Sequence, residues 1–217
     1  GSGPVVLAEA LAPFAPLPMV QRAGDSLELV EHRSEAKGTA DSFGRLKGFH
    51  GQMGMFVRAL AFILSHGADG LRQASEDAVL NANYILARLQ DLLSLSFPGP
   101  CMHEALFDDR FLQDTGVSTL DFAKAMIDEG FHPMTMYFPL VVSGAMLIEP
   151  TESESKASLD QFIASMRHLG ERAVSGDAEF FAGAPYLAPY RRLDETQAAR
   201  KPVLRWHGGA GEAEAAE

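Results

Sequence analysis

The sequence predicts a mixed fold of helices and strands, with a compact α+β unit in its C-terminal half. Residues 68–93 (ADGLRQASEDAVLNANYILARLQDLL) carry apolar side chains at helical spacing, with Asp69 placed to cap the helix start. This helix would be roughly 36 Å long, which suits a connection between two bodies. From Phe97 onward, patterns typical of strand, helix, strand, strand and helix follow one another, an order that indicates an α+β unit.

The first 64 residues predict one helix among irregular segments. Residues 1–20 are apolar and interrupted by prolines, which favours a short strand or turn, and the polar residues 21–42 favour an exposed loop or hairpin. Residues 53–64 (MGMFVRALAFIL) predict a buried helix, because the run contains Arg58 and is shorter than the ~20 residues of a membrane span. The glycines between these segments suit either a loop that approaches a ligand closely or a plain connection. They are Gly44, Gly48, Gly51 and Gly54.

Capping residues mark the helices of the C-terminal half. Ser118 and Asp121 form a capping box, and Gly130 is placed to end the helix that follows. Thr151 and Glu154 form a second capping box. The helix after it has one apolar face, made of Leu159, Phe162, Ile163 and Met166.

Three segments of the same half predict strands. They are residues 101–107 (CMHEALF), 134–142 (MTMYFPLVV) and 144–150 (GAMLIEP). The acidic, low-complexity residues 207–217 predict a disordered tail.

Composition excludes several classes of function. A net charge of -11 argues against a nucleic-acid surface, because phosphate binding needs clustered Lys and Arg. The single cysteine, Cys101, excludes an internal disulfide and indicates a reducing, cytoplasmic compartment. Neither a signal peptide nor a membrane span is expected. No metal site is expected either, because His103 and Glu104 are neighbours in a strand-like run and would point to opposite faces.

The five lysines give no sign of a Schiff-base site. Lys37, Lys124, Lys156 and Lys201 lie in polar loops, on polar helix faces or in the tail, and Lys47 lies in the glycine-rich stretch. None has the apolar setting that lowers a lysine pKa for covalent catalysis. The sequence by itself therefore predicts an α+β body without an obvious catalytic group.

Several long strings resemble the glycine cleavage system P-protein, glycine decarboxylase, and most of all the second subunit of split enzymes. They are SEDAVLNANYILARL, CMHE, TLDFAKAMIDEGFHPMTMYFPL, IEPTESESKASLDQFI and APYRRLDETQAARKPVLRW. The resemblance runs from Gly1 to Trp206 and implies the C-terminal part of a fold-type I, aminotransferase-like enzyme that depends on pyridoxal 5'-phosphate (PLP). The opening residues look like the segment after that family's glycine-rich loop, so the PLP lysine is expected upstream of this sequence.

The resemblance also implies a division into domains. Residues 1–50 would be the end of the large domain with connecting loops, and residues 51–94 the buried and long connecting helices. Residues 95–206 would form the C-terminal small α+β domain, ahead of the disordered tail at 207–217.

For the complete enzyme, the resemblance implies decarboxylation of glycine on PLP and transfer of the aminomethyl group to the lipoyl arm of the H-protein. The expected partners are P-protein subunit 1, the upstream half of subunit 2, the H-protein and glycine, and the chain alone would be inactive. A non-catalytic small-domain protein that binds a P-protein subunit is the alternative. A fold-type I enzyme with another amino-acid substrate is a third possibility.

The resemblance points to five residues near the cofactor or substrate. By fold-level analogy, the loop FHGQMG would approach a neighbouring subunit's phosphate, Gly51 offering close backbone approach and Gln52 a side-chain amide. Arg45 and His50 could bind an anionic group such as the carboxylate of glycine, although the family usually has an aromatic residue at position 50. His132 precedes Pro133 and is either a buried turn histidine or a group facing the lipoyl-arm channel or substrate pocket.

Other polar residues in the C-terminal half have simpler explanations. Residues 149–152 are explained by helix capping, and Asn81 and Asn83 by hydrogen bonds to neighbouring backbone. The stretch GAM at 144–146 departs from the family pattern, which indicates surface variation.

Overall fold

The computed structural model describes residues 5–38, 41–46, 48 and 51–205. The chain forms two compact units, residues 1–71 and 72–217. The finer domain boundaries expected after residues 50, 94 and 206 stay predictions. The acidic tail at 207–217 lies outside the described residues.

The first unit contains a β-hairpin, as the polar residues 21–42 predict. Strands β1 (Met19–Ala23) and β2 (Ser26–Val30) pair antiparallel, from Met19 opposite Val30 to Ala23 opposite Ser26. The two-residue turn between them has Gly24 at φ 63°, a conformation that glycine adopts without steric cost. Before the hairpin, Glu9–Phe14 forms a 3-10 helix, so the predicted short strand within residues 1–20 is confirmed only at its end.

The longest helix, α1 (Met53–Leu89), is interrupted at Gly67, where φ is 61° and ψ is −173°. The predicted helix start at Asp69 is close to this break. The preceding segment is helical as predicted, and within this chain Met53 is 69% and Leu64 74% exposed, so its burial stays a prediction. This part of the helix carries apolar side chains on all sides, and no described residue shields them from solvent. No helix among the described residues is both long and apolar enough to cross a membrane.

The second unit is built on a four-stranded antiparallel sheet in the order β3-β4-β6-β5. Its strands are β3 (Ser94–Leu95), β4 (Ala105–Asp108), β5 (Thr135–Met136) and β6 (Met146–Ile148). Its other helices are α2 (Thr119–Asp128), α3 (Lys156–Val174), α4 (Ala178–Gly183) and α5 (Glu195–Arg200). Together with the end of α1, they enclose the predicted α+β core.

Large side chains from each layer fill that core. Phe107 of β4, Phe122 of α2 and Phe181 of α4 are fully buried, and the rings of Phe122 and Phe181 stack with centroids 6.0 Å apart. Leu159, Ile163 and Met166 of α3 are buried and Phe162 is partly buried, which confirms the predicted apolar face.

The predicted capping box of α2 is confirmed. The hydroxyl of Ser118 accepts a hydrogen bond from the backbone N–H of Asp121 at 3.2 Å, and the carboxylate of Asp121 accepts one from the N–H of Ser118 at 3.1 Å. Gly130 follows the helix with φ 86°, as a helix-ending glycine does.

The second predicted capping box is wrong. The hydroxyl of Ser155 accepts from the N–H of Ser158 at 3.1 Å, so Ser155 is the N-cap and α3 begins at Lys156, two residues after Glu154. Thr151 instead has a left-handed backbone, with φ 59°, in the turn between β6 and the helix. The pairs Ser118/Asp121 and Thr151/Glu154 both match the Ser/Thr-x-x-acidic pattern of a capping box. At Thr151, however, the sharp turn prevents the chain from entering a helix.

All three predicted strands are shorter than expected, and of residues 144–150 only Met146–Ile148 form a strand. Of residues 134–142, only Thr135–Met136 pair, because Tyr137 has φ 60° and turns the chain out of the sheet. Of residues 101–107, the strand begins only at Ala105. The prediction that 144–146 is surface variation is also wrong, since all three residues are buried.

Candidate functional site

A cavity of about 400 Å³ lies in the second unit, between the sheet and the start of α3. Its lining includes Phe131 and Phe162, whose rings meet edge to face with centroids 5.4 Å apart. The lining also includes the polar residues His132, Glu149 and Glu154. A small-molecule site of this size typically combines apolar walls with a few polar groups.

His132 is exposed and lines this cavity, in the connection between α2 and β5. Its ring atom Nδ1 lies 2.7 Å from the carbonyl oxygen of Pro133. Because a carbonyl only accepts hydrogen bonds, Nδ1 carries the proton in the neutral ring and Nε2 keeps a free lone pair. The turn hydrogen bond expected of a structural histidine is therefore present, but the expected burial is not.

Two carboxylates border the same cavity. Glu149 directly follows β6, and Glu154 lies two residues before α3. Two negative charges favour a cation or a hydrogen-bond donor and oppose an anion, such as a carboxylate or a phosphate. From the sequence, both residues were explained by helix capping alone. The available signal was the position of Glu149 near the end of the predicted strand 144–150.

Asn81 of α1 fixes the backbone between the two carboxylates. Its amide nitrogen donates to the carbonyl oxygens of Thr151 at 2.9 Å and Glu154 at 3.3 Å. The prediction that Asn81 satisfies backbone groups is confirmed, and these bonds hold the loop at the edge of the cavity.

The glycine-rich stretch belongs to the first unit, and three of its candidates, Arg45, Gly51 and Gln52, are among the described residues. The guanidinium of Arg45 lies 2.5 Å from the carboxylate of Glu31, a partner that competes with any anionic ligand. Gly51 has φ 124°, and a side chain there would lie 3.2 Å from the ring of Phe56. The carbonyl of Gln52 accepts the N–H of Met55 at 2.9 Å, at the beginning of α1. His50 lies outside the described residues.

The described lysines do not fit a PLP site, because PLP enzymes hold the cofactor through a lysine Schiff base. A hydrogen bond from the ammonium of Lys156 to Asp160 at 2.6 Å, with a smaller contribution from Tyr84, raises its pKa, which opposes nucleophilic use. Lys124 lies 3.6 Å from Glu195, and Lys37 and Lys201 are exposed. Lys47 lies outside the described residues.

The reason given for excluding a metal site is wrong. His103 and Glu104 precede β4 rather than forming part of it, so their side chains are free to point the same way. Both lie close to Glu149.

Comparison with known proteins identifies the relatives of this fold. Residues 74–178 match the family model described as "Glycine dehydrogenase, C-terminal domain". A probable glycine dehydrogenase (decarboxylating) subunit 2 of Caulobacter vibrioides is 67% identical over 218 residues, covering 100% of this chain and 41% of the relative. The protein of the same name from Kosmotoga olearia is 45% identical over 207 residues, covering 95% of this chain and 41% of the relative.

A solved structure agrees with the fold. The crystal structure of glycine decarboxylase (P-protein) of the glycine cleavage system, in inhibitor-bound form, has a TM-score of 0.57 and 15% identity. The match covers 74% of this chain and 37% of that one. The predicted fold class, the C-terminal part of a fold-type I enzyme, is confirmed.

The chain spans about two fifths of the length of the curated relatives it matches. Its similarity to them extends over the whole chain or nearly so, and the family model covers the α+β unit from α1 to the beginning of α4. The chain belongs to the family of glycine dehydrogenase (decarboxylating) subunit 2, and corresponds to the C-terminal part of the P-protein.

Proposed function

We propose that this chain supplies the C-terminal part of a PLP-dependent glycine dehydrogenase (decarboxylating) in the cytoplasm. The complete enzyme would remove CO2 from glycine and pass the aminomethyl group to the lipoyl arm of the H-protein. The observation that carries the proposal is the 67% identity, along the whole chain, with subunit 2 of Caulobacter vibrioides.

The cofactor would be bound mainly by the rest of the enzyme. This inference is supported by the ion-paired or exposed positions of the described lysines Lys37, Lys124, Lys156 and Lys201. PLP would supply the electron sink for decarboxylation. The chain itself would contribute a wall of the active site and contacts between subunits, near Arg45, His50, Gly51, Gln52 and His132.

Exposed apolar surface supports contact with the rest of the enzyme. From Phe56 to His66 every residue is exposed, including Phe56, Val57 and Leu60 at about half of their surface or more. A helix that is apolar on all sides is normally buried. In the second unit, Leu140 is 80% and Val141 87% exposed. We infer that the remaining three fifths of subunit 2, together with subunit 1, cover these surfaces.

The cavity beside His132 would receive the lipoyl arm rather than the carboxylate of glycine. Its apolar walls suit an uncharged aliphatic chain, and Glu154 suits the amino group that the lipoyl arm carries after transfer. Nε2 of His132 would accept a hydrogen bond from that group or from the amide of the arm.

A chimera tests the main proposal. This chain replaces the corresponding residues of the Caulobacter vibrioides subunit 2, and the chimera is expressed with the matching subunit 1 and lipoylated H-protein. We expect PLP-dependent release of CO2 from carboxyl-labelled glycine, comparable with that of the intact relative, and none from this chain alone. A chimera that is soluble and binds PLP, but does not decarboxylate glycine, refutes the proposal and leaves the non-catalytic partner-binding role.

The role of His132 is tested within the same chimera. His132→Asn should raise the KM for H-protein roughly fivefold, the equivalent of one lost hydrogen bond of about 1 kcal/mol, with little change in the KM for glycine. His168→Asn, which changes an exposed histidine of α3, serves as the matched control. An equal change in both KM values would contradict placement of the lipoyl arm in this cavity.

A further inference from the structure

Three side chains with metal-binding atoms converge at one end of the sheet in the second unit. Nε2 of His103 lies 3.9 Å from a carboxylate oxygen of Glu104 and 3.9 Å from one of Glu149. One ligand atom from each residue can be chosen so that all three lie within 4.8 Å of one another. Ligands of a tetrahedral ion with bonds near 2.1 Å are about 3.4 Å apart, so small side-chain rotations would complete the site.

The sheet brings these residues together. Ala105 at the start of β4 pairs with Ile148 at the end of β6. Glu104 precedes the first of these residues and Glu149 follows the second, so both carboxylates extend from the same end of adjacent strands. Their backbone separation is therefore set by the strand pairing rather than by a free loop.

Two asparagines of α1 hold the segments on either side. The amide of Asn83 donates to the carbonyl of Cys101 at 2.7 Å, and its oxygen accepts the N–H of Cys101 at 3.0 Å. The amide of Asn81 donates one hydrogen bond to the carbonyl of Thr151 at 2.9 Å. These hydrogen bonds fix the backbone two residues before His103 and two residues after Glu149.

The charges leave room for a cation. Among the described residues, His103 is the one basic group within 4.0 Å of Glu104 or Glu149. The two carboxylates attract a cation, and the imidazole offers it a nitrogen ligand. Its nitrogen favours Zn²⁺, Ni²⁺ or Co²⁺ over Mg²⁺ and Ca²⁺, which prefer oxygen ligands.

We propose that His103, Glu104 and Glu149 bind a divalent transition-metal ion of the Zn²⁺ class. Three protein ligands leave a fourth position for water or a ligand atom. Because Glu149 also borders the cavity beside His132, the ion would add positive charge at its edge. The site does not depend on the activity of the complete enzyme, so its test stands apart from the chimera.

The test uses the full 217-residue chain, free of any affinity tag. Zn²⁺ binding is measured by isothermal titration calorimetry, and Co²⁺ is added separately to record its visible d–d absorption. The site variants are His103→Ala and Glu149→Gln. The controls are His168→Ala, which removes an exposed imidazole elsewhere, and Glu152→Gln, which removes an exposed carboxylate three residues after Glu149. Circular dichroism without metal verifies that every variant is folded.

We expect one Zn²⁺ per chain and a tetrahedral Co²⁺ spectrum. Loss of an outer-shell partner typically weakens metal binding about 10- to 100-fold, so loss of either ligand should weaken it at least ~10-fold. The controls should bind as the unchanged chain does. The proposal is overturned if the chain shows no saturable Zn²⁺ binding, or if folded His103→Ala or Glu149→Gln binds as tightly as the controls. A sulfur-to-Co²⁺ charge-transfer band would also overturn it, because it would place the ion at Cys101 instead.

Discussion

Gly144 is the glycine at which substitution by alanine should destabilise the second unit most. Its backbone has φ 57°, and a Cβ atom there would lie 2.0 Å from Cγ and 2.4 Å from Cβ of Asp109. Its carbonyl accepts a hydrogen bond from the buried hydroxyl of Thr119 at 3.0 Å. The backbone therefore has little freedom to move away from Asp109, and the clash involves a Cβ atom that no side-chain rotation can remove.

We expect Gly144→Ala to lower the free energy of unfolding by about 2–5 kcal/mol. The left-handed conformation costs a non-glycine residue about 1–2 kcal/mol. The forced displacement of packed atoms adds about 1–3 kcal/mol, the range for overpacked interiors. Gly130→Ala is the matched control, because Gly130 also has a positive φ, 86°, with nothing within 4 Å of the added Cβ.

Urea unfolding followed by far-ultraviolet circular dichroism measures both variants, with free energies from linear extrapolation. Gly130→Ala should show the conformational cost alone. Combining Gly144→Ala with Asp109→Gly should recover the steric part, a coupling that a double-mutant cycle isolates. Equal destabilisation by Gly144→Ala and Gly130→Ala, or no coupling to position 109, would refute the steric explanation.

Three further predictions concern capping, pH and the cysteine. Ser118→Ala and Ser155→Ala should each lower the free energy of unfolding by about 1 kcal/mol in urea, and Thr151→Ala by less, because Thr151 does not cap α3; an equal loss at Thr151 would contradict the assigned helix start. Burial opposes ionisation of Asp121, but hydrogen bonds from Ser118 and the guanidinium of Arg192 outweigh it and lower the Asp121 pKa below its ordinary 3.8. Its stabilising contribution should therefore be complete above about pH 5 and lost as the pH falls through the lowered pKa, so urea unfolding of the unchanged chain and Asp121→Asn should converge in acid; a constant difference would show that the carboxylate charge is irrelevant. Burial raises the pKa of the Cys101 thiol, so iodoacetamide should modify it more slowly than free cysteine at pH 8, by mass spectrometry, and at the free rate in urea; equal rates in the folded chain would contradict its burial.

The features that the sequence predicted correctly are those with a local cause. The capping box of Ser118 and Asp121 and the hairpin of β1 and β2 depend on neighbours in the chain. The buried face of α3 follows from helical spacing alone. These signals persist whatever the rest of the molecule does.

The incorrect predictions concern places where distant residues or backbone conformations decide. The run MTMYFPLVV has strand-like composition, but the positive φ of Tyr137 ends the pairing after two residues. The burial expected of the helix at 53–64 stays a prediction, because no described residue covers its apolar side chains. Burial of such a helix depends on a partner surface, which its own sequence does not contain.

The metal-binding cluster and the cavity were missed for the same physical reason. Asn81 and Asn83 are two residues apart, so their side chains point roughly 200° apart around the axis of α1. Asn81 binds the turn after β6, close to Glu149, and Asn83 binds the segment before β4, close to His103. The sequence allowed each amide to be assigned to backbone hydrogen bonds, and that assignment is confirmed. The sequence could not reveal that the two bonded segments lie next to each other, one before β4 and the other after β6. That proximity arises only when β4 and β6 pair, and they are more than forty residues apart in the chain. Residues that only satisfy backbone groups can therefore determine where ligand atoms converge.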